Sequence, residues 1–221
     1  MTLLKLLKID IKKAGWNLIL LVTIPLIGLA ILLDKDQGGI TNILVTMYCL
    51  FGGIVVAVIP FAAENAEEAG FLEMLPVKPG LSVIVHFIFS ALCIFISGGL
   101  GILVSLAVTA AGTSLSPLCP EGMNLLSIYF TAFGAALLFT AIDCFLLTIF
   151  RYNTLQILQI IRILPAFIFF FGGSALVQNM ETTSVAFRLL NESGILVFII
   201  CAAAYAALAA ISRVIALRLG R

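Results

Sequence analysis

Two ionisable residues sit inside long apolar stretches of this chain: Asp143 within Asn124 to Phe150, and Arg162 within Leu155 to Leu176. They flank the short turn Arg151 to Thr154 at equal separation, so two antiparallel helices bring them to similar depth, where they can pair. A charge in hydrocarbon is costly and turns toward a partner or a cavity. The pair therefore reads as a structural ion pair or gate hinge, or alternatively as a substrate contact or proton relay. A second constellation is acidic, the segment ENAEEAGFLEMLPVKPG from Glu64 to Gly80. Glu64, Glu67 and Glu68 fall at helical spacings of three and four, and Phe71, Met74 and Leu75 repeat that spacing after them. In a helix this makes an acidic first part, favoured by the positive end of the dipole, and an apolar last part. Gly70 can split that helix, and Pro76 ends it because the residue before a proline disfavours helical angles. An apolar patch rimmed by Glu64, Glu67, Glu68 and Glu73, with Phe71, Leu72 and Leu75 at its centre, suits a groove on another protein. The bland alternative is a solvated loop whose apolar residues rest on a bilayer surface.

Enzymatic readings fare poorly. The single histidine, His86, begins an apolar run, where an interfacial role is expected, and nothing in the sequence pairs it with Gly172 to Ser174 as a base for a serine nucleophile. Glu67 and Glu68 resemble the paired glutamates of membrane prenyl-protein proteases, but Leu72 stands where that motif has arginine and a second histidine is missing. The five cysteines form no C-x-x-C pair and no His/Cys cluster, so neither a metal site nor a redox motif is indicated. Cys49, Cys93, Cys144 and Cys201 lie in apolar runs and read as small packing residues, while Cys119 falls in a predicted outer loop. No Gly-Lys dipeptide occurs, so the phosphate-binding loop G-x-x-x-x-G-K-[ST] is absent and any ATP chemistry belongs to another polypeptide. No enzymatic chemistry is expected of the chain itself.

The elements that carry these residues are set by composition. Hydrophobic residues make up 62% of 221 positions and charged residues 10%, against roughly 45–50% and about 25% in an ordinary soluble domain. Six apolar runs reach the roughly 20 residues needed to cross hydrocarbon: Trp16 to Leu33, Thr41 to Ala63, Leu81 to Ala111, Asn124 to Phe150, Leu155 to Leu176 and Gly194 to Leu217. The expectation is an all-α membrane protein, one transmembrane domain over 1–221 with six spans and no soluble catalytic domain. The first run follows a Lys-containing stretch but is longer than a signal-peptide core and lacks a small-residue cleavage site before Asp34, so it should remain as an anchor. Basic residues in short loops resist translocation. With the N-terminus inside, the inner ends and loops carry Lys5, Lys8, Lys12, Lys13, Lys78, Arg151, Arg213, Arg218 and Arg221, and the outer loops only Lys35 and Arg188. Both termini and the Glu64 to Gly80 segment are then cytoplasmic. A net charge of +1 with scattered basic residues offers nucleic acid no patch.

Ahead of the first span, Thr2 to Lys13 reads as an amphipathic helix, with Leu4, Leu7 and Ile11 on one face and Lys5, Lys8 and Lys12 on another. Such a helix lies flat in the headgroup region, either as a simple anchor or as an elbow that couples the spans to a cytoplasmic partner. Pro25, Pro60 and Pro165 are expected to kink or break their helices. Small residues in Gly98, Gly99, Gly101 and Ser105, in Gly134 to Ala136 and in Ala202 to Ala210 allow close approach between helices.

A Lys-rich amphipathic N-terminus, six spans, and between the second and third an acidic stretch running into Gly70-Phe71-Leu72-Glu73-Met74-Leu75-Pro76-Val77 form a pattern. It resembles the small ABC-2 type permeases, of type V exporter-like fold, especially those of exporters for phenol-soluble modulins and antimicrobial peptides. Lys78 and Pro79 stand where those permeases usually carry a hydroxyl residue and then a basic one. The resemblance implies a half-transporter of a bacterial plasma (inner) membrane: two six-span subunits, identical or related, with separate ATPase subunits that bind ATP and Mg²⁺. It implies that an elbow helix (1–15) and a coupling segment (64–80, Glu64 to Pro76 at its heart) transmit ATPase closure to the spans. The cargo expected is an amphipathic peptide or other hydrophobic molecule, passing between subunits along faces of spans one, two and five. The alternative is a self-contained, gradient-driven carrier or channel built on Asp143 and Arg162.

Overall fold

A computed structural model describes residues 3–33, 42–59, 80–110, 124–150, 164, 167–172, 188 and 192–218. The amphipathic pattern forms helix α1, Leu3–Ala14. It stops at Gly15, whose φ of +47° lies in the left-handed region. That region costs a side chain-bearing residue roughly 1–2 kcal/mol, so glycine turns the chain here without strain. A 3₁₀ segment, Gly15–Ile19, then leads into α2, Leu20–Leu33. The first apolar run therefore starts as a tight 3₁₀ turn at Trp16 and becomes an α-helix only at Leu20. Helix α2 runs across Pro25 unbroken.

The remaining helices are α3, Asn42–Ala57; α4, Leu81–Ala110; α5, Leu125–Phe150; and α6, Gly194–Arg218. Asn124 caps α5, its Oδ1 accepting from the backbone N–H groups of Leu126 at 3.2 Å and Ser127 at 3.5 Å. Among the described residues all regular structure is helical, and α4, α5 and α6 are long and apolar enough to cross a membrane. The 30 residues of α4 extend about 45 Å at about 1.5 Å each, more than the hydrocarbon thickness. Of the run Leu155 to Leu176, the described part includes a π-type turn, Ile168–Gly172; Arg162 and Pro165 lie outside the described residues, as does Pro60.

Helix α3 packs along α4 and α5 along α6, while α4 also contacts α1, α2, α5 and α6 and so sits at the centre. One core cluster joins Met47, Leu50 and Ile54 of α3 to Ile94 of α4 and to Ile128, Phe133 and Leu137 of α5. Glycines set the spacing. A Cβ on Gly98 would lie 2.2 Å from the Phe133 ring, and one on Gly101 would lie 3.0 Å from the Thr46 backbone. A Cβ on Gly134 would meet Phe198 Cα at 3.0 Å, whereas Gly99 faces open space. Where hydrophobicity alone does not draw helices together in lipid, such close backbone approach is the main source of packing energy.

Four hydroxyl groups inside the spans are satisfied by their own helices. Ser97 donates to Ile94 O, Thr131 to Ser127 O, Thr140 to Ala136 O and Thr148 to Cys144 O, which removes the cost of a lone polar group in hydrocarbon. The outer faces are apolar. Val22, Leu26 and Ile27 on α2 and Ile195, Leu196, Ile199 and Ile200 on α6 are all exposed, an arrangement stable when the surrounding solvent is lipid.

Candidate functional site

One end of the bundle gathers the chemistry. A cluster there joins Val58, just past α3, with Val83 and Phe87 at the start of α4, Ala141, Cys144 and Leu147 near the end of α5, and Ala216 near the end of α6. Gly80, φ +75°, brings the chain into α4 beneath the last turns of α6: a Cβ there would lie 3.1 Å from Arg213 Cγ and 3.2 Å from Leu217 Cγ.

Helix α1 is attached at this end by a buried polar contact. Leu6, Asp10 and Ala14 recur every fourth residue, form the stripe of α1 that packs inward, and are buried. His86 of α4 donates from Nδ1 to Asp10 Oδ2 at 2.7 Å, and both residues are 3% exposed. A carboxylate only accepts, so Nδ1 carries the hydrogen in this contact. Two buried polar groups that satisfy each other fix both the position of α1 and its rotation, because either alone would be left desolvated.

The sequence places His86 at an interface and marks no role for Asp10; the structure buries the two against each other. The available signal was that Asp10 is the one acidic residue in α1 and lies in register with Leu6 and Ala14. Of the expected apolar face, Leu7 packs against the core, while Leu4 is 75% exposed and Ile11 45%. Lys5, Lys8 and Lys12 are exposed as expected.

A second polar contact ties α6 to α4. Tyr205 of α6 donates to Phe87 O, and its hydroxyl lies 2.6 Å from Ser90 Oγ, which also reaches Phe87 O at 2.9 Å. The Tyr205 and Phe87 rings pack edge to face with centroids 5.4 Å apart. At the opposite end, Gly194 N–H donates to Ser127 Oγ at 2.9 Å and joins the starts of α5 and α6. Serine, tyrosine and glycine are common in spans and carry no spacing signature, so the sequence does not mark these contacts.

Asp143 is fully buried on α5. Its anticipated partner Arg162 lies outside the described residues, as do Glu64, Glu67, Glu68, Phe71, Leu72, Glu73, Leu75 and Pro76 of the acidic segment and Cys119. Their flanks, Ile59 and Gly80, are described, and Gly80 enters α4 six residues before His86. Cys49, Cys93 and Cys144 are buried free thiols. Among the described residues no three His, Cys, Asp or Glu side chains group as metal ligands.

No curated protein and no solved structure matches the chain. A family model described as ABC-2 family transporter protein matches residues 3–219, nearly the whole sequence. With its apolar helices and multi-pass layout, the chain belongs to the ABC-2 family of transporter proteins and is a permease of that type.

Proposed function

We propose that this chain is the membrane permease subunit of an ATP-driven exporter that moves amphipathic peptides or other hydrophobic cargo out of the cell. Six spans, a second permease subunit, identical or related, and separate ATPase subunits binding ATP and Mg²⁺ complete this reading. The observation that carries it is family membership over residues 3–219 in a sequence with no phosphate-binding loop. A bacterial plasma-membrane location with both termini in the cytoplasm is supported by the bias of lysine and arginine to one side.

In this reading α1 is the elbow helix and Glu64 to Pro76 the ATPase-coupling segment. Support for a shared role comes from the chain itself: α1 is joined through Asp10 to His86, close behind the entry of α4 at Gly80 where that segment ends. A push on the segment and a pull on α1 would then act on the same end of α4. The test is to tag the chain in its host, extract it in mild detergent and identify stoichiometric companions. An ATPase that co-purifies, and is lost when Glu68 and Glu73 become Lys and Phe71 and Leu75 become Ala, is the expected result. A chain that purifies alone under several mild conditions would overturn the proposal.

The complete burial of Asp143 inside α5 favours one second reading, a gradient-driven carrier or channel using Asp143 and Arg162. Gradient-driven flux through the purified chain, abolished by Asp143→Asn, would establish it.

A further inference from the structure

The inner end of α6 is fastened to the chain on both sides of the acidic segment. Val58, just before that segment, and Val83, just after it, share a buried cluster with Ala216 of α6. Gly80 lies beneath the last turns of α6 in the left-handed region, φ +75°. A Cβ there would stand 3.1 Å from Arg213 Cγ, 3.2 Å from Leu217 Cγ and 3.3 Å from Arg213 O. The last of these is a backbone atom, so a displacement of the chain at Gly80 is passed to α6 by contact, packed interiors transmitting strain rather than absorbing it. Two turns along α4, Tyr205 donates its hydroxyl to Phe87 O and packs edge to face on the Phe87 ring. A push therefore reaches α6 through Gly80, and a pull through Tyr205.

The outer end of α6 is pinned to α5, where Gly194 N–H donates to Ser127 Oγ at 2.9 Å. Between the two ends Ile199, Ile200, Ile211 and Val214 are exposed and apolar, so lipid and no packed core opposes a tilt of this face. At about 1.5 Å per residue the 25 residues of α6 make a lever of about 37 Å. We propose that the last turns of α6 are a third coupling element beside α1 and the acidic segment, with Gly80 and Tyr205 as the positioning residues that pass the segment's movement to α6. This coupling rests on the docking of a separate ATPase by Glu64 to Pro76, proposed above, and adds a moving part to it: α6 tilts about its outer pin when the ATPase closes. The connections to α1 and α6 leave α4 from different residues, His86 for α1 and Phe87 with Ser90 for α6, so each can be cut by itself.

The test uses the complete permease with its co-purified ATPase in nanodiscs. An environment-sensitive dansyl amino acid is encoded at Arg218 of α6 or, in a second preparation, at Lys8 of α1, both exposed positions. Trapping with ATP, Mg²⁺ and vanadate should shift the emission maximum at both. Gly80→Ala should abolish the shift at Arg218, and Tyr205→Phe should reduce it about threefold, the equivalent of the roughly 0.6 kcal/mol of one hydrogen bond between membrane helices. The shift at Lys8 should persist in both variants, which a general loss of structure would not allow. With the ATPase present, no shift at Arg218, a shift there that both variants leave intact, or loss of both shifts together would overturn the proposal while the docking reading stands. A preparation without ATPase would remove the docking reading and this proposal with it. Should Gly80→Ala fail to assemble, Tyr205→Phe alone decides.

Discussion

His86 Nδ1 and Asp10 Oδ2 meet at 2.7 Å across 76 positions of sequence, joining a helix outside the bundle to its central helix α4. Neither group has water to fall back on, so each is worth most to the other. Replacing Asp10 or His86 by Ala should each cost about 1–3 kcal/mol, the range for a buried donor or acceptor that loses its partner. The double variant should cost clearly less than the sum. Thermal unfolding of the four proteins in one detergent measures this cycle, and strict additivity would show that the contact contributes nothing of its own.

Gly194 and Gly99 offer a paired test of helix spacing. A Cβ on Gly194 would lie 2.1 Å from Ser127 O, a backbone atom that cannot swing aside, while a Cβ on Gly99 meets nothing within 4 Å. Gly194→Ala should destabilise the chain by about 1–3 kcal/mol through overpacking. Gly99→Ala should be neutral or mildly stabilising, since alanine is the better helix former. Melting temperatures of both variants in the same detergent compare them directly.

Tyr205→Phe keeps the ring that packs on Phe87 and removes the hydroxyl that reaches Phe87 O and Ser90. Hydrogen bonds between membrane helices average about 0.6 kcal/mol and reach about 1.7. The expected loss falls in that interval, and adding Ser90→Ala should cost more again, because it also removes the bond that the Ser90 hydroxyl keeps to Phe87 O. Unfolding in detergent or by steric trapping would read it.

Gly15→Ala should cost about 1–2 kcal/mol, because its φ of +47° is closed to other side chains. No neighbour lies within 4 Å of the added Cβ, so the penalty is conformational and not steric. The angle between α1 and α2 should shift with it. A change in the emission maximum of Trp16, next in sequence, reports that shift.

Asp143→Asn separates the two transport readings. It removes a charge from a fully buried position and keeps the shape. Under ATP-driven export by coupled movement, vesicles with the partner ATPase should transport in the same range as before. Abolished transport with intact ATPase binding would favour the carrier.

Apolar length and the distribution of charge were enough to place α4, α5 and α6 within a residue or so, because a span in lipid must be helical and must be apolar throughout. Helical periodicity made α1 legible as amphipathic, with Lys5, Lys8 and Lys12 outward. The sequence also carried the family, through layout and the Gly70 to Val77 stretch, although that stretch lies outside the described residues. What only the tertiary structure decided is which surfaces meet. Inside hydrocarbon every helix is apolar all round, so periodicity no longer marks the buried side, and Gly98 and Gly99, neighbours in sequence, end against Phe133 and against open space. For α1, periodicity separated lysines from leucines but could not rank two apolar faces, and the face chosen was the one carrying Asp10. That choice depended on His86, 76 residues away, because a buried carboxylate is tolerable only where a distant donor satisfies it.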